Sequence, residues 1–243
     1  MRFTGMNPSA YLKKIVLTAF ACLSVIAHAS NSSELLIPFK ATYVTEWSLG
    51  WFTLDIEARR TLQRTPDGNW LLTFEAETSA ASLKETSEFS LNERQIRPQE
   101  YQYHASGLFN EPDRALLFSH PLKLVKDLDN KQTYTNAWET EIQDNLSYML
   151  QASIDLAQGD TTLTYEVFEK NRSKPFRFEV IGEETIDTSI GKLKAVKVKQ
   201  IRKNNRRELY AWFAKDHHYQ LVRLIDKKDG RKRYQIDISA LSD

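Results

Sequence analysis

Residues 51–78 read WFTLDIEARRTLQRTPDGNWLLTFEAET, and this stretch decides the fold. Phe52, Leu54, Ile56 and Ala58 alternate with Thr53, Asp55 and Glu57. A period of two sets one apolar face against a core and one polar face in water. Thr65-Pro66-Asp67-Gly68-Asn69 ends the run with a turn, because Pro66 fixes φ and Gly68 accepts a positive φ. Trp70 to Glu77 then runs back, so 51–78 reads as a β-hairpin.

Working outward, the same period recurs. Ala41 to Trp47 is β-branched and aromatic and breaks at Gly50. Further strands are predicted over 85–91, 96–106, 115–119, 122–128, 132–138, 161–169, 175–181, 193–201, 208–214, 219–226 and 231–238, with a turn over 183–191. Many short strands separated by turn chemistry define an antiparallel, mainly β fold of the barrel or sandwich kind. One segment departs from it. Asp144 to Gln158 carries Leu146, Leu150, Ile154 and Ala157 at helical spacing, with Asp144 as N-cap and Gly159 as the residue after the helix. This predicts one packed α-helix over about 144–158, its Leu150 stripe facing the barrel and Gln151 facing away.

The N-terminus carries a different signal. Lys13 and Lys14 precede a 12-residue apolar run, Ile15 to Ile26, and Ala27-His28-Ala29 is a small-x-small cleavage site. That pattern is a secretory signal peptide over 1–29, and the run is shorter than the ~20 apolar residues a transmembrane helix needs. Residues 30–243 would form a single β-barrel-like domain in the periplasm of a Gram-negative bacterium, with no transmembrane anchor after signal removal. Cys22, the one cysteine, falls in the apolar run behind Ala19-Phe20-Ala21, where bulky Phe20 does not suit lipoprotein processing. The exported chain is then cysteine-free, which excludes disulfides, thiolate metal sites and thiol nucleophiles.

The exported residues hold 30 basic side chains against 32 acidic ones, so bulk charge does not suggest a nucleic-acid partner. The charge is uneven. Between Lys192 and Arg233 stand 15 basic residues and four acids. Lys197, Lys199, Arg202, Arg206, Arg207, Arg231 and Arg233 are the candidate contacts for an anionic partner, namely lipid, lipopolysaccharide or an acidic glycan. The opposing expectation is that acids on other strands neutralise them. Trp47, Trp51 and Trp212 are candidates to line an apolar ligand cavity, although an aromatic core is the commoner use of such residues. No phosphate loop, nucleophile elbow or His-Glu-x-x-His occurs, and the four histidines after residue 29 show no ligand spacing. Glu75/Glu77, Glu183/Glu184 and Asp226/Asp229 could be imagined as acid–base pairs, but strand alternation puts Glu75 and Glu77 on a wet face. No catalytic residue, metal site or cofactor is expected.

Three stretches carry a family resemblance: Tyr43 to Leu54 (YVTEWSLGWFTL), Asp144-Asn145-Leu146-Ser147-Tyr148-Met149-Leu150 with Leu156 and Gly159, and Gly182 to Gly191 (GEETIDTSIG) followed by Trp212-Phe213-Ala214-Lys215-Asp216. Together they resemble the DUF3108 family of exported bacterial proteins of unknown function. The family commonly has a Leu-Pro-Val-like step after that Asp turn, where this chain has Leu221-Val222-Arg223. The arrangement also looks like lipoprotein-carrier half-barrels, an incomplete barrel with a helix across its mouth. The expectation is an exported non-enzymatic protein that binds an amphiphilic or anionic envelope component. The alternatives are a structural or interaction protein with a filled core and, last, a carboxylate-dependent hydrolase. An apolar cavity of at least ~300 Å³ would favour binding. A filled interior with an open strand edge would favour the interaction protein.

Overall fold

The structure, a computed structural model, describes residues 35–49, 52–108, 111–204 and 206–242. The strands are β1 (Phe39–Leu49), β2 (Phe52–Arg64), β3 (Trp70–Glu77), β4 (Ala81–Asn92), β5 (Gln95–Gly107), β6 (Arg114–Ser119), β7 (Leu124–Asp127), β8 (Gln132–Thr135) and β9 (Ile142–Gln143). Helix α1 (Ser147–Ala157) follows. Then come β10 (Thr162–Glu169), β11 (Arg172–Thr188), β12 (Gly191–Ile201), β13 (Arg207–Ala214), a 3-10 turn at Lys215–His217, β14 (Gln220–Lys228) and β15 (Arg231–Ser242).

All fifteen strands form one sheet in the order 8-7-6-5-4-3-2-1-15-14-13-12-11-10-9. Each pairs antiparallel with its chain neighbour, except that β9 runs parallel to β10. Two meanders, β1–β8 and β10–β15, are joined where the first strand meets the last, through Lys40↔Ser242 to Thr45↔Ile236. The sheet does not close. It is an open half-barrel with one helix: the periodicity predicts the antiparallel strands and the helix, and the resemblance implies the incomplete barrel. The hairpin of 51–78 forms in the expected register, Arg64 opposite Trp70 and Ala58 opposite Ala76.

Two details differ from the sequence expectation. The first is β11, which runs on through 182–188 where a turn is expected. Gly182, at φ 152°, takes up a bulge between Val180 and Gly182, so pairing with β12 resumes up to Thr188↔Gly191. The second is the helix, which lies inside the half-barrel and is buried on nearly every side. Leu146, Leu150 and Ile154 join the main core, to which both meanders contribute, while Met149, Ala152 and Leu156 join a second cluster with β10–β13. Leu146, Leu150 and Ile154 are buried as the stripe predicts, but Ala157 is exposed and Gln151, expected to face away, is buried.

Gln151 is buried because it completes a strand. β6 pairs with β5 only over Glu100–Tyr103, leaving the edge at Ile96 uncovered. The Gln151 Oε1 accepts the Ile96 N–H at 2.8 Å, and Gln143 Nε2 donates to the Ile96 carbonyl at 2.8 Å. Two glutamine side chains thus do what a neighbouring strand would do. Gln151 also donates to the Arg94 carbonyl (2.9 Å) and to Asp155 (3.0 Å), whose other oxygen accepts the Tyr165 hydroxyl (2.9 Å). The helix ends in a Schellman motif: Asp160 N donates to Asp155 O and Gly159 N to Leu156 O, with Gly159 at φ 89°.

Candidate functional site

The chemistry gathers where the helix begins. The first helical residue is Ser147, but Asp144 caps the turn as the sequence predicts. Its Oδ1 accepts Leu146 N (2.8 Å) and Ser147 N (2.7 Å), and Ser147 Oγ accepts Asp144 N (3.0 Å). This reciprocal pair is a capping box with serine in place of the usual glutamate. Asp144 is wholly buried; burial pushes its carboxyl above the usual range, against the pull of these hydrogen bonds and one from Ser87.

Next to this turn the helix leaves space. A cavity of about 160 Å³ is bounded by Leu146 and Met149 from the helix, Phe74 from β3, Leu221 and Leu224 from β14 and Ile236 from β15. Its polar members are Tyr43, Arg60, Glu85, Asn145 and Arg223. A second cavity, about 330 Å³ and more polar, is lined by Tyr101, Tyr103, Glu111, Arg114, Glu169 and Lys170. Glu85 and Asn145 line both, so the two share a wall. A wider groove of about 680 Å³ along β2–β4 holds Glu57, Arg59, Glu75 and Lys84, which ion-pair among themselves.

Arg60 is the unusual member. It is 97% buried, and neither Nη1 nor Nη2 has a hydrogen-bond partner among the described residues. The guanidinium lies 5.6 Å from the Phe39 ring centre. The Tyr43 hydroxyl supports its charge by electrostatic attraction and by hydrogen bonding that falls short of full geometry at either Nη, while donating to the Leu221 carbonyl (2.7 Å) and accepting from Gln220 (2.8 Å). Burial lowers the guanidinium's pKa, the direction expected of a desolvated cation. The sequence carried a signal for it: Ile56, Ala58, Arg60 and Leu62 share one parity of β2, and all four are buried. An arginine on the core side of an alternating strand is a charge that needs an explanation.

Glu85, on the common wall, is also perturbed. Burial pushes its carboxyl up to about 7, and the Tyr101 hydroxyl, which donates to it, pulls the other way. Arg223 is already engaged, by Asp237 and the Asp187 carbonyl.

The residues singled out from sequence lie elsewhere. Pairings Arg207↔Lys228 and Lys228↔Arg231 bring Arg206, Arg207, Arg231 and Arg233 together at one end of β13–β15. Acids accompany most of them. Asp226, buried, takes both Arg207 and Arg233 at 3.1 Å, and Asp229 takes Arg206 at 3.2 Å. Lys199 meets Glu208 at 2.8 Å and Lys197 meets Glu184 at 3.3 Å. Arg202 donates to Gln200, while Arg231 is exposed with no ion pair among the described residues. Trp212 is buried, donates to Glu184 (2.5 Å) and stacks under Lys197 at 4.8 Å. It lines neither cavity at the helix start. Trp51 lies outside the described residues, as does the side chain of Trp47.

An open, curled, antiparallel sheet wrapped around one buried helix defines the structural class. The chain matches the family described as "Protein of unknown function (DUF3108)" over residues 39–237 and belongs to it. No curated protein matches. Among solved structures, the chain is similar to a β-barrel-like DUF1849 protein from Brucella abortus, at TM-score 0.58 and 10% identity over 85% of this chain and 98% of that one. A DUF1329 protein from Desulfovibrio piger aligns at 11% identity over 84% of each chain, with a TM-score of 0.25. The first likeness shows a shared fold. Among the described residues, no helix is long and apolar enough to cross a membrane.

Proposed function

We propose that the protein is exported to the periplasm and acts there without catalysing a reaction, as a binding module for an amphiphilic or anionic component of the envelope. The observation that carries this reading is the pair of adjoining cavities at the start of the helix, one apolar and one polar, with a desolvated cation in the wall of the apolar one. Binding sites commonly combine apolar walls with a few placed polar groups. The apolar cavity alone falls below the ~300 Å³ of a typical drug-sized site, so the ligand's apolar part is small or continues into the neighbouring space. Its non-catalytic role is supported by the buried carboxylates, which have structural duties: Asp144 caps the helix, and Asp226 holds two arginines.

Native mass spectrometry of protein purified from its own envelope tests the reading. A chain beginning at Ser30 and carrying a non-covalent small molecule is expected. Bare protein, together with no displaceable environment-sensitive dye, would count against it. A structural role through protein contacts is the second reading. It is favoured by the helix packing into both apolar clusters on the concave side and by β8, which ends the sheet with no further strand beside it among the described residues.

A further inference from the structure

We propose that the apolar cavity beside Arg60 is a site for a compact organic monocarboxylate, an aromatic or medium-chain acid whose carboxylate pairs with the Arg60 guanidinium. The inference rests on the binding-module reading and names the ligand's chemistry.

Four observations converge on that chemistry. The first is charge. Arg60 is buried, neither terminal nitrogen has a hydrogen bond of full geometry or an ion-pair partner among the described residues, and the other charged cavity residues do not serve it: Arg223 is occupied by Asp237, and Glu85 bonds Tyr101. An unpaired buried charge is costly, and a ligand that neutralises it recovers much of that cost. The second is shape. A guanidinium offers a planar fork that matches the two oxygens of a carboxylate. The third is valence. Arg223, the other cation on these walls, is neutralised by Asp237, so Arg60 leaves one positive charge to answer and suits a single negative one; a phosphate monoester brings about two, and Glu85 on the same wall opposes a second charge. The fourth is size. About 160 Å³ is close to the ~150 Å³ of an engineered protein cavity that accepts benzene. Phe74, Leu146, Leu224 and Ile236 would surround the apolar body.

The two Nη atoms are closed off from solvent, so the cavity must rearrange for the carboxylate to reach them. Met149, which lines the cavity, has the unbranched, adaptable side chain for that adjustment.

The test compares charged and neutral isosteres on the full exported chain. Benzoate and hexanoate, with benzamide and hexanamide as controls, are titrated at pH 7.5 by ligand-observed NMR against wild type, Arg60→Met and Leu224→Phe. The acids should bind wild type at least about tenfold more tightly than their amides, the scale of a hydrogen bond to a charged group. Arg60→Met should remove that preference and leave the amides within about threefold. Leu224→Phe, which keeps Arg60 and fills the cavity, should weaken acid and amide together. Acids and amides binding equally, with Arg60→Met indifferent, would overturn the carboxylate inference while leaving a cavity ligand in place. No binding by any of the four compounds would overturn the inference too; whether the binding-module reading falls with it is decided separately by the native mass spectrum.

Discussion

The Ser87 hydroxyl on β4 donates to Asp144 Oδ2 at 2.5 Å, while Asp144 Oδ1 caps the start of α1. One buried carboxylate thus fixes both where the helix begins and where that start sits against the sheet. Asp144→Ala should remove the cap and strand the Ser87 donor. The expected loss is ~2–4 kcal/mol, combining a cap of ~0.5–2 with a buried unsatisfied group of ~1–3. Urea unfolding measures it, and Asn145→Ala next door, which leaves the Asp144 bonds intact, should cost less.

The glutamine that completes β5 makes a second prediction. Gln151→Ala leaves the buried Ile96 N–H without a partner and frees the Arg94 carbonyl in its exposed turn, and should cost ~1–3 kcal/mol, mostly from the buried group. Leu150→Ala, one position earlier, should cost ~2–5 kcal/mol as a core truncation. Gln158→Ala, on the exposed end, should stay within ~0.5 kcal/mol. Near-zero losses at both 150 and 151 would mean that the helix does not organise the sheet.

Glu85 predicts a pH dependence with a definite sign. Its carboxyl titrates near 7 in the folded chain against an ordinary 4.5, so between those values the folded state holds a proton that the unfolded state has released. Stability should therefore fall as pH rises from about 4.5 through 7. Glu85→Gln should flatten that slope, removing ~2 kcal/mol of difference between pH 5 and pH 8 after allowance for partial solvent access. Parallel slopes in wild type and variant, from denaturation at the two pH values, would place the group in ordinary solvent.

The basic end of β13–β15 predicts a salt-sensitive attachment to anionic surfaces. Asp226 and Asp229 offset Arg206, Arg207 and Arg233, so the attraction should be modest and led by Arg231. Co-sedimentation with anionic vesicles should be measurable at low salt and fade at physiological ionic strength, where screening acts within ~8 Å. Arg206→Glu with Arg231→Glu should abolish it without unfolding the domain. Binding indifferent to salt and to both changes would leave these side chains as a solvated sheet end.

The architecture was legible because strands write their period locally. Alternation in β2 and β3, and the Pro66–Gly68 turn between them, needed no tertiary information. The helix was legible as an element but not in its setting. Periodicity marks an apolar stripe, whereas Gln151 is buried by a hydrogen-bonding need on β5, 55 residues away in sequence. The basic cluster between 192 and 233 was equally plain, but the acids beside it depend on pairing: Asp226 takes Arg207 from a neighbouring strand and Arg233 from another. Arg60 is legible by its parity with Ile56, Ala58 and Leu62, which places it inside. What no linear reading supplies is that its two terminal nitrogens find no hydrogen bond of full geometry there among the described residues.

That isolation is the central claim, and the melting temperature of Arg60→Met tests it most directly. A ligand-free protein that keeps an unpaired guanidinium in its core should gain when an apolar side chain of similar length replaces it. The expected gain is ~1–3 kcal/mol, or about 2–4 °C per kcal/mol for a chain of this length. The account predicts that the ligand-free variant melts higher than ligand-free wild type. A variant that melts several degrees lower would show that Arg60 is satisfied where it stands, and would contradict a buried cation that an anionic ligand completes.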